Sequence, residues 1–111
     1  MSQETNDQIV VLMTAPTADE ATRIAEKLVE RKLAACVQIL PAMTSIYVWK
    51  GDVQHESEIL MVAKSTQGKF ADLEAAVRAI HSYETPEIIA LPIVAGSPAY
   101  LSWLSSCLEG S

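Results

Sequence analysis

The sequence has few aromatic residues, few cysteines and few basic residues. Only 5% of its 111 residues are aromatic while half are apolar, so Ala, Val, Ile and Leu must build the core of a chain long enough for one domain. Its two cysteines, Cys36 and Cys107, show no CxxC or zinc-type spacing, and two thiols are too few for a disulfide framework. We therefore expect a single α+β domain over residues 9–111, after a flexible N-terminal segment of residues 1–8, in a reducing compartment.

Positive charge is scarce too. Eight Lys and Arg residues against 14 Asp and Glu give a formal net charge of -6, which repels polyanions and anionic lipid on average. The charge mildly favours cations, although solubility alone explains it. No apolar run reaches membrane-spanning length, and the polar segment before residue 9 lacks the basic region of a signal peptide. We expect a cytoplasmic protein with neither nucleic acid nor membrane as partner.

The first half of the chain alternates strand and helix signals. Residues 9–13 form an apolar run typical of a buried strand. Thr17 and Glu20 then have capping-box spacing, which predicts that the Thr17 hydroxyl accepts a bond from an N–H of the first helical turn while the Glu20 carboxylate accepts one from the Thr17 amide. The apolar stripe of the helix that follows comprises Ala21, Ile24, Ala25, Leu28 and Val29. A second strand covers residues 33–40 and is interrupted by Pro41, which predicts an edge or a bulge.

A long hairpin is predicted around the dipeptide Gly51-Asp52. Glycine supplies the positive φ that a type II′ turn requires, so residues 44–50 and 53–64 should pair as antiparallel strands. In that register the facing pairs are Trp49 with Gln54, Tyr47 with Glu56, and Ser45 with Glu58. All six side chains then share one face of the hairpin.

The second half repeats the order of the first. Thr66 can cap a helix with Phe70, Leu73, Val77 and Ile80 on its inner face, residues 87–94 form a strand, and Ser97-Pro98 begins a final helix. The inner side of that helix comprises Tyr100, Trp103, Leu104, Cys107 and Leu108. The order β-α-β-β-α-β with an extra C-terminal helix predicts a ferredoxin-like fold, in which two helices cover one face of a four-stranded antiparallel sheet.

A single copy of this fold looks incomplete. A strand over residues 53–64 is about 40 Å long, whereas a compact domain of this size is roughly 34 Å across. The hairpin is apolar on both faces, with Tyr47 and Trp49 on one and Ile46 and Val48 on the other. Exposed apolar sheet invites pairing, so we expect a closed assembly of identical copies. The alternative is a monomer whose hairpin folds back at a bulge near Pro41.

Several stretches of the sequence match the motifs of a known family. They are residues 33–37 (LAACV), 44–51 (TSIYVWKG) and 81–92 (HSYETPEIIALP), in the family's order, joined by Glu58, Lys64 and residues 100–103 (YLSW). In these stretches the chain resembles the CutA family. The resemblance implies a ferredoxin-like subunit in a stable homotrimer similar to the PII signalling proteins. It also implies a role in tolerance to divalent cations, chiefly copper.

His81 is the most suggestive candidate for ligand binding. It lies at the predicted end of the second helix, where its ring could bind a metal or cap the last carbonyls. Tyr83, Glu84 and Glu87 follow closely and could form a polar cluster with Lys64. Capping is the simpler interpretation of a single histidine that has no second one at ligand spacing.

The resemblance also implies a copper site that this sequence only partly keeps. Some family members hold copper through a thiol at the end of the first strand and two adjacent histidines, and the aligned positions here are Met13, Ile80 and His81. A thioether suits Cu(I) better than harder ions. Any metal site at Met13 and His81 is therefore expected to be weaker or more selective for Cu(I), or absent.

The hairpin face supplies the remaining candidates. Tyr47, Trp49, Glu56 and Glu58 could line a cleft between subunits together with Lys64, or could be interface anchors and paired charges. Cys36 lies in a family stretch, although packing explains a thiol in an apolar strand better than reactivity does.

Three functions stay open on these residues: a metal-response protein, a regulatory module that binds a small molecule or a partner segment, and a scaffold. The sequence has no nucleophile elbow, phosphate loop or Rossmann glycine pattern, so we expect no enzyme activity.

Overall fold

Residues 7–109, the part of the chain that the computed structural model describes, form four strands and three α-helices in the predicted order. The elements are β1 (Gln8–Ala15), α1 (Ala18–Glu30), β2 (Cys36–Trp49), β3 (Asp52–Thr66), α2 (Phe70–Ile80), β4 (Ile88–Pro92) and α3 (Pro98–Cys107). A 3-10 turn, Gln67–Lys69, precedes α2. β1 begins at Gln8, one residue earlier than predicted, and residues 1–6 of the predicted flexible segment lie outside the described residues. The ferredoxin-like order is confirmed.

The four strands form one antiparallel sheet in the order β2-β3-β1-β4. Alternate residues of β1 point into a core beneath α1 and α2, because successive side chains of a strand face opposite sides. Met13 of β1 lies opposite Met61 of β3, and both are almost completely buried. The other large buried core side chains include Val11, Ile24, Leu28, Leu73 and Val77. The predicted inner faces of α1 and α2 are wrong at their last residues, because Val29 and Ile80 are 44% and 40% exposed.

The helix cap before α1 forms only in part. The Thr17 hydroxyl accepts a hydrogen bond from the Glu20 amide at 3.1 Å, as predicted. The predicted return bond is wrong, because the Glu20 carboxylate instead accepts from the backbone N–H of Ser82 at 2.8 Å. This carboxylate therefore ties the start of α1 to the loop after α2.

β2 is an edge strand with a bulge beside Pro41. Its register against β3 changes by one residue between Ile39, which pairs with Met61, and Ala42, which pairs with Ile59. A bulge lets the edge strand accommodate a residue that cannot donate to the ladder. The strand continues past the bulge to Trp49, so the alternative in which the hairpin folds back on itself is wrong.

The hairpin projects well beyond the core. The chain measures 51 × 25 × 23 Å and its radius of gyration is 15.0 Å, against about 13 Å for a compact domain of this length. The predicted overhang is confirmed.

The turn at the hairpin tip differs from the prediction by one residue. Trp49 pairs with Asp52, so Lys50 and Gly51 form the loop, at φ values of 52° and 86°. Positive φ at both loop residues is the type I′ geometry, which matches the twist of the strands, whereas we predicted type II′ at Gly51-Asp52. Tyr47 consequently faces Gln54 and Ser45 faces Glu56. This shift of the pairing by two residues leaves every side chain on its predicted face.

α3 lies against the sheet face opposite α1 and α2, a face that has no cover in the predicted fold. Leu104 is fully buried there, and Gln8, which alternates with the core-facing Ile9, donates its side-chain amide to the Ser105 hydroxyl at 3.0 Å. Of the predicted inner residues, Tyr100 and Trp103 stay 42% and 45% exposed. Pro98 occupies the first turn as predicted, and Ser97 is the cap residue, but its hydroxyl makes no capping bond.

The cover that α3 provides is partial. On β4, Ile89 and Leu91 of the same face remain 50% and 48% exposed. Within residues 7–109, no helix has the length and apolar character needed to span a membrane.

Candidate functional site

A cleft of about 680 Å³ opens between the hairpin and the loop after α2. Its wall residues are Thr14, Tyr47, Trp49, Gln54, Glu56, Glu58, Tyr83, Glu84, Thr85 and Glu87. Six of the predicted ligand-binding residues are thus brought together here, namely Tyr47, Trp49, Glu58, Tyr83, Glu84 and Glu87. The other three, Cys36, Lys64 and His81, do not line it.

The two sides of the cleft are positioned by different local rules. Alternation along β2 and β3 puts Tyr47, Trp49, Glu56 and Glu58 on one face of the hairpin. On the other side, α2 ends at His81, which leaves the helical conformation at φ -76° and ψ 142° while its N–H still bonds to Val77. The chain beyond this helix end carries residues 83–87 toward the hairpin.

Tyrosine–carboxylate pairs join the two sides. Tyr83 donates its hydroxyl to a Glu58 oxygen at 3.0 Å. Burial and this hydrogen bond raise the pKa of Tyr83 to about 12. On the hairpin itself, partial burial and the neighbouring Glu56 and Glu58 raise the pKa of Tyr47. Both phenols are therefore neutral donors, and the wall carries the negative charge of its carboxylates.

His81 lies beneath the cleft in a buried corner, and its side chain is 1% exposed. Its Nε2 is 2.8 Å from the carbonyl oxygen of Thr14, which can only accept, so Nε2 carries the proton. Its Nδ1 accepts a hydrogen bond from the backbone N–H of Tyr83 at 3.0 Å. Both ring nitrogens are thus hydrogen-bonded, which orients the loop that carries Tyr83.

Glu20 completes this corner, although its sequence pattern did not identify it as a site residue. One carboxylate oxygen accepts from Ser82 N–H and lies 3.4 Å from His81 Nδ1. Burial alone would raise the pKa of Glu20, but hydrogen bonds from Ser82 and the nearby His81 and Arg23 lower it overall. Glu20 and Ser82 are distant in sequence, so the local pattern signalled only a helix cap.

Lys64 and Cys36 lie at the other end of the same sheet face. Lys64 is six residues beyond Glu58 on β3, about 20 Å along an extended strand, and donates to the Gln38 side chain at 2.7 Å. Cys36 pairs with Lys64 across the strands, and its sulfur is 3.7 Å from the Tyr100 hydroxyl. Neither side chain reaches the cleft of its own chain.

The predicted copper ligands are not poised for a metal. Met13 is 1% exposed and points into the core, and a metal at His81 would have to displace the bond to Thr14 or to Tyr83. Across residues 7–109, no three His, Cys, Asp or Glu side chains are grouped closely enough to hold an ion. The pair Met13 and His81 stays a prediction that requires local rearrangement.

The cleft is well suited to attract cations. Glu56, Glu58, Glu84 and Glu87 all line it, whereas its lining residues include neither Lys nor Arg. Low-dielectric walls of one charge concentrate the opposite ion. Aromatic rings from Tyr47 and Trp49 add apolar contact area on the hairpin side.

Comparison with known proteins gives a consistent result. The sequence profile of the family described as "CutA1 divalent ion tolerance protein" matches residues 9–107. The "Divalent-cation tolerance protein CutA" of Thermus thermophilus is 50% identical over 95 residues, which cover 86% of this chain and 92% of that protein. "Protein CutA, chloroplastic" of Arabidopsis thaliana is 44% identical over 95% of this chain, which spans only 58% of the plant protein.

A solved structure supports the same fold. CutA1 from Oryza sativa superimposes with a TM-score of 0.91 at 40% identity, covering 96% of this chain and 98% of that one.

Proposed function

The chain belongs to the CutA1 divalent ion tolerance protein family, and on that premise we propose that it acts in tolerance by binding divalent cations at the acidic cleft. In this proposal the protein is a cytoplasmic homotrimer that binds ions without catalysing a reaction. The observation that carries it is the set of four glutamates, Glu56, Glu58, Glu84 and Glu87, in one cleft whose lining contains no lysine or arginine.

Carboxylate oxygens favour divalent ions of the harder type. Copper is the more specific possibility. Its softer ion, Cu(I), would need His81 and Met13, but the ring nitrogens of His81 are hydrogen-bonded and Met13 is buried. Because no three His, Cys, Asp or Glu side chains of residues 7–109 are grouped closely enough to hold an ion, we expect weak binding, on the order of 10⁻⁴ to 10⁻³ M, as in weak carboxylate sites. A regulatory module for a small molecule and a pure scaffold stay predictions.

The proposed homotrimer would cover the exposed apolar hairpin. Ile46, Val48, Val53 and Trp49 are all more than 60% exposed, at 63%, 66%, 62% and 62%. A long apolar ribbon of this kind is marginal in water and prone to pair with another chain. Closed cyclic association of identical copies would shelter it without leaving an open edge. Sedimentation that found a folded single chain at micromolar concentration would contradict the trimer.

Calorimetry tests the cation site. Cu(II), Zn(II) and Mg(II) are titrated separately into the whole protein and into Glu84→Gln/Glu87→Gln, which removes two exposed charges of the cleft. The control is Glu26→Gln/Glu30→Gln, which removes two exposed charges from α1. We expect the binding heat to fall at least threefold in the cleft variant alone. Equal heats in both variants would reject the cleft, and loss of heat only in His81→Ala would place the ion at the histidine instead.

A further inference from the structure

Glu58 is a buried carboxylate without a cationic partner in its own chain. It lines the cleft at 9% exposure, and its hydrogen-bond donor is the neutral hydroxyl of Tyr83. Within residues 7–109, neither Lys nor Arg pairs with Glu58. Buried charges in proteins are normally paired, because an ionised group loses its hydration on burial. The geometry at Glu58 thus calls for a positive group from outside the chain.

The walls beside Glu58 identify what kind of positive group fits. A metal ion is held tightly only by several converging oxygen ligands, and no three acidic, thiol or imidazole side chains of the described chain are grouped for one, so a divalent ion would be held weakly here. An ammonium group needs only acceptors and accepts aromatic faces as well. Tyr47 and Trp49 supply such faces, and the Nζ of Lys50 already lies 5.9 Å from the centre of the Trp49 ring. A carbon chain behind the ammonium would pack on the same rings.

We propose that the cleft around Glu58 is a receptor for a primary ammonium group on an aliphatic stem. Two sources share this chemistry: a free aliphatic amine, and a lysine side chain of a second copy of this chain. Lys64 is the candidate for the second source, since it lies about 20 Å from Glu58 in its own chain and therefore could meet this carboxylate only in another copy. In both cases the ammonium pairs with Glu58 while the stem contacts Tyr47 and Trp49.

This inference concerns the same cleft as the proposed cation site but does not depend on it. It rests on the buried Glu58, whereas the divalent-ion proposal is tested at the exposed Glu84 and Glu87. All amine titrations are done with a chelator present, so divalent ions are absent. Failure of the amine test and failure of the metal test are therefore separate results.

The first arm tests free amines. 1,4-Diaminobutane and n-butylamine are titrated into the whole protein by calorimetry, with 1,4-butanediol as the uncharged control. The proposal expects saturable binding of the amines only, weakened at least tenfold by Glu58→Gln, which keeps the size and an acceptor but removes the charge. Glu74→Gln on α2 is the matched control and should bind as the wild type does.

The second arm tests a lysine of another copy. If the amines do not bind, the proposal expects Lys64→Gln and Glu58→Gln each to raise the concentration needed for assembly at least tenfold. The double variant should be no worse than either single variant, because both remove the same pair. Sedimentation across a dilution series measures the three effects.

Two results overturn the proposal. One is amine binding that Glu58→Gln leaves unchanged. The other is absence of amine binding together with additive or negligible effects of Lys64→Gln and Glu58→Gln on assembly. If Glu58→Gln does not fold, Trp103→Phe leaves Trp49 as the single tryptophan, and amines but not the diol must then shift its fluorescence. An unchanged spectrum, with assembly also unaffected by Lys64→Gln, would equally refute the receptor.

Discussion

Removing the Glu20 carboxylate should destabilise the protein far more than removing other acidic side chains of α1. Glu20 is 6% exposed and accepts the Ser82 N–H at 2.8 Å. A hydrogen bond to a charged group contributes about 1.5–3 kcal/mol. Glu20→Ala loses this bond, so we expect the free energy of unfolding to fall by about 1.5–3 kcal/mol. Glu20→Gln keeps an acceptor oxygen and should cost about 1 kcal/mol.

The pH dependence gives this prediction a second signature. Because the balance of burial, the Ser82 bonds, His81 and Arg23 holds the pKa of Glu20 below its usual value of 4.5, the folded state favours the ionised carboxylate. A lowered carboxyl pKa contributes stability that is fully present above pH 4.5 and disappears as the pH falls through the lowered value. The difference between wild type and Glu20→Gln should therefore be largest near neutral pH and shrink in acid.

Urea unfolding followed by circular dichroism measures both effects. All variants are compared at one chain concentration, because association links stability to concentration. Glu26→Ala, an exposed position on the same helix, is the control and should change the unfolding free energy by less than about 0.5 kcal/mol. A Glu20→Ala variant as stable as this control, or a Glu20→Gln difference that does not shrink at acid pH, would refute the assigned role of Glu20.

Two further predictions concern the cleft and the hairpin tip. In a spectrophotometric titration, Tyr83 should ionise at about 12, and Glu58→Gln should move that ionisation toward 10, since burial and the bond to Glu58 together hold the proton on the phenol. A titration unchanged by Glu58→Gln would contradict the bond. At the tip, Lys50→Gly should raise the unfolding free energy by about 0.5–1 kcal/mol, because Lys50 occupies φ 52°, where glycine is unstrained. Urea unfolding measures this, and a loss of stability would contradict the type I′ turn.

The fold was predictable because its rules are local. Alternation of apolar residues, a helix cap at Thr17 and a proline at position 41 each carry their own structural consequence along the chain. Even the turn error did little harm, because moving the loop from Gly51-Asp52 to Lys50-Gly51 shifts the pairing by two residues and preserves the face of every side chain. The cleft side of the hairpin was therefore predicted correctly from a wrong register.

The errors arose where a long-range contact competed with a local one. The Glu20 carboxylate could serve its own cap or the N–H of Ser82, and only the fold decides that the second donor is within reach. His81 was similarly predicted from its helix end, whereas its ring bonds to Thr14 of β1 and to Tyr83. The placement of α3 also depends on the whole sheet, because the amphipathic pattern of a helix does not specify which of two faces it covers.

The exposed hairpin and the carboxylate of Glu58 lie on one continuous surface that a second chain or a ligand could cover. The part of β2 and β3 that projects from the core carries Tyr47, Trp49 and Glu56, so a chain or ligand that packs against this part also borders the cleft. Binding at Glu58 and burial of the hairpin are then thermodynamically linked whenever the occupant binds assembled and separate chains with different affinities. A ligand that binds assembled copies more tightly would show an apparent affinity that rises with protein concentration. A ligand that binds assembled and separate chains equally would show the same affinity at every dilution.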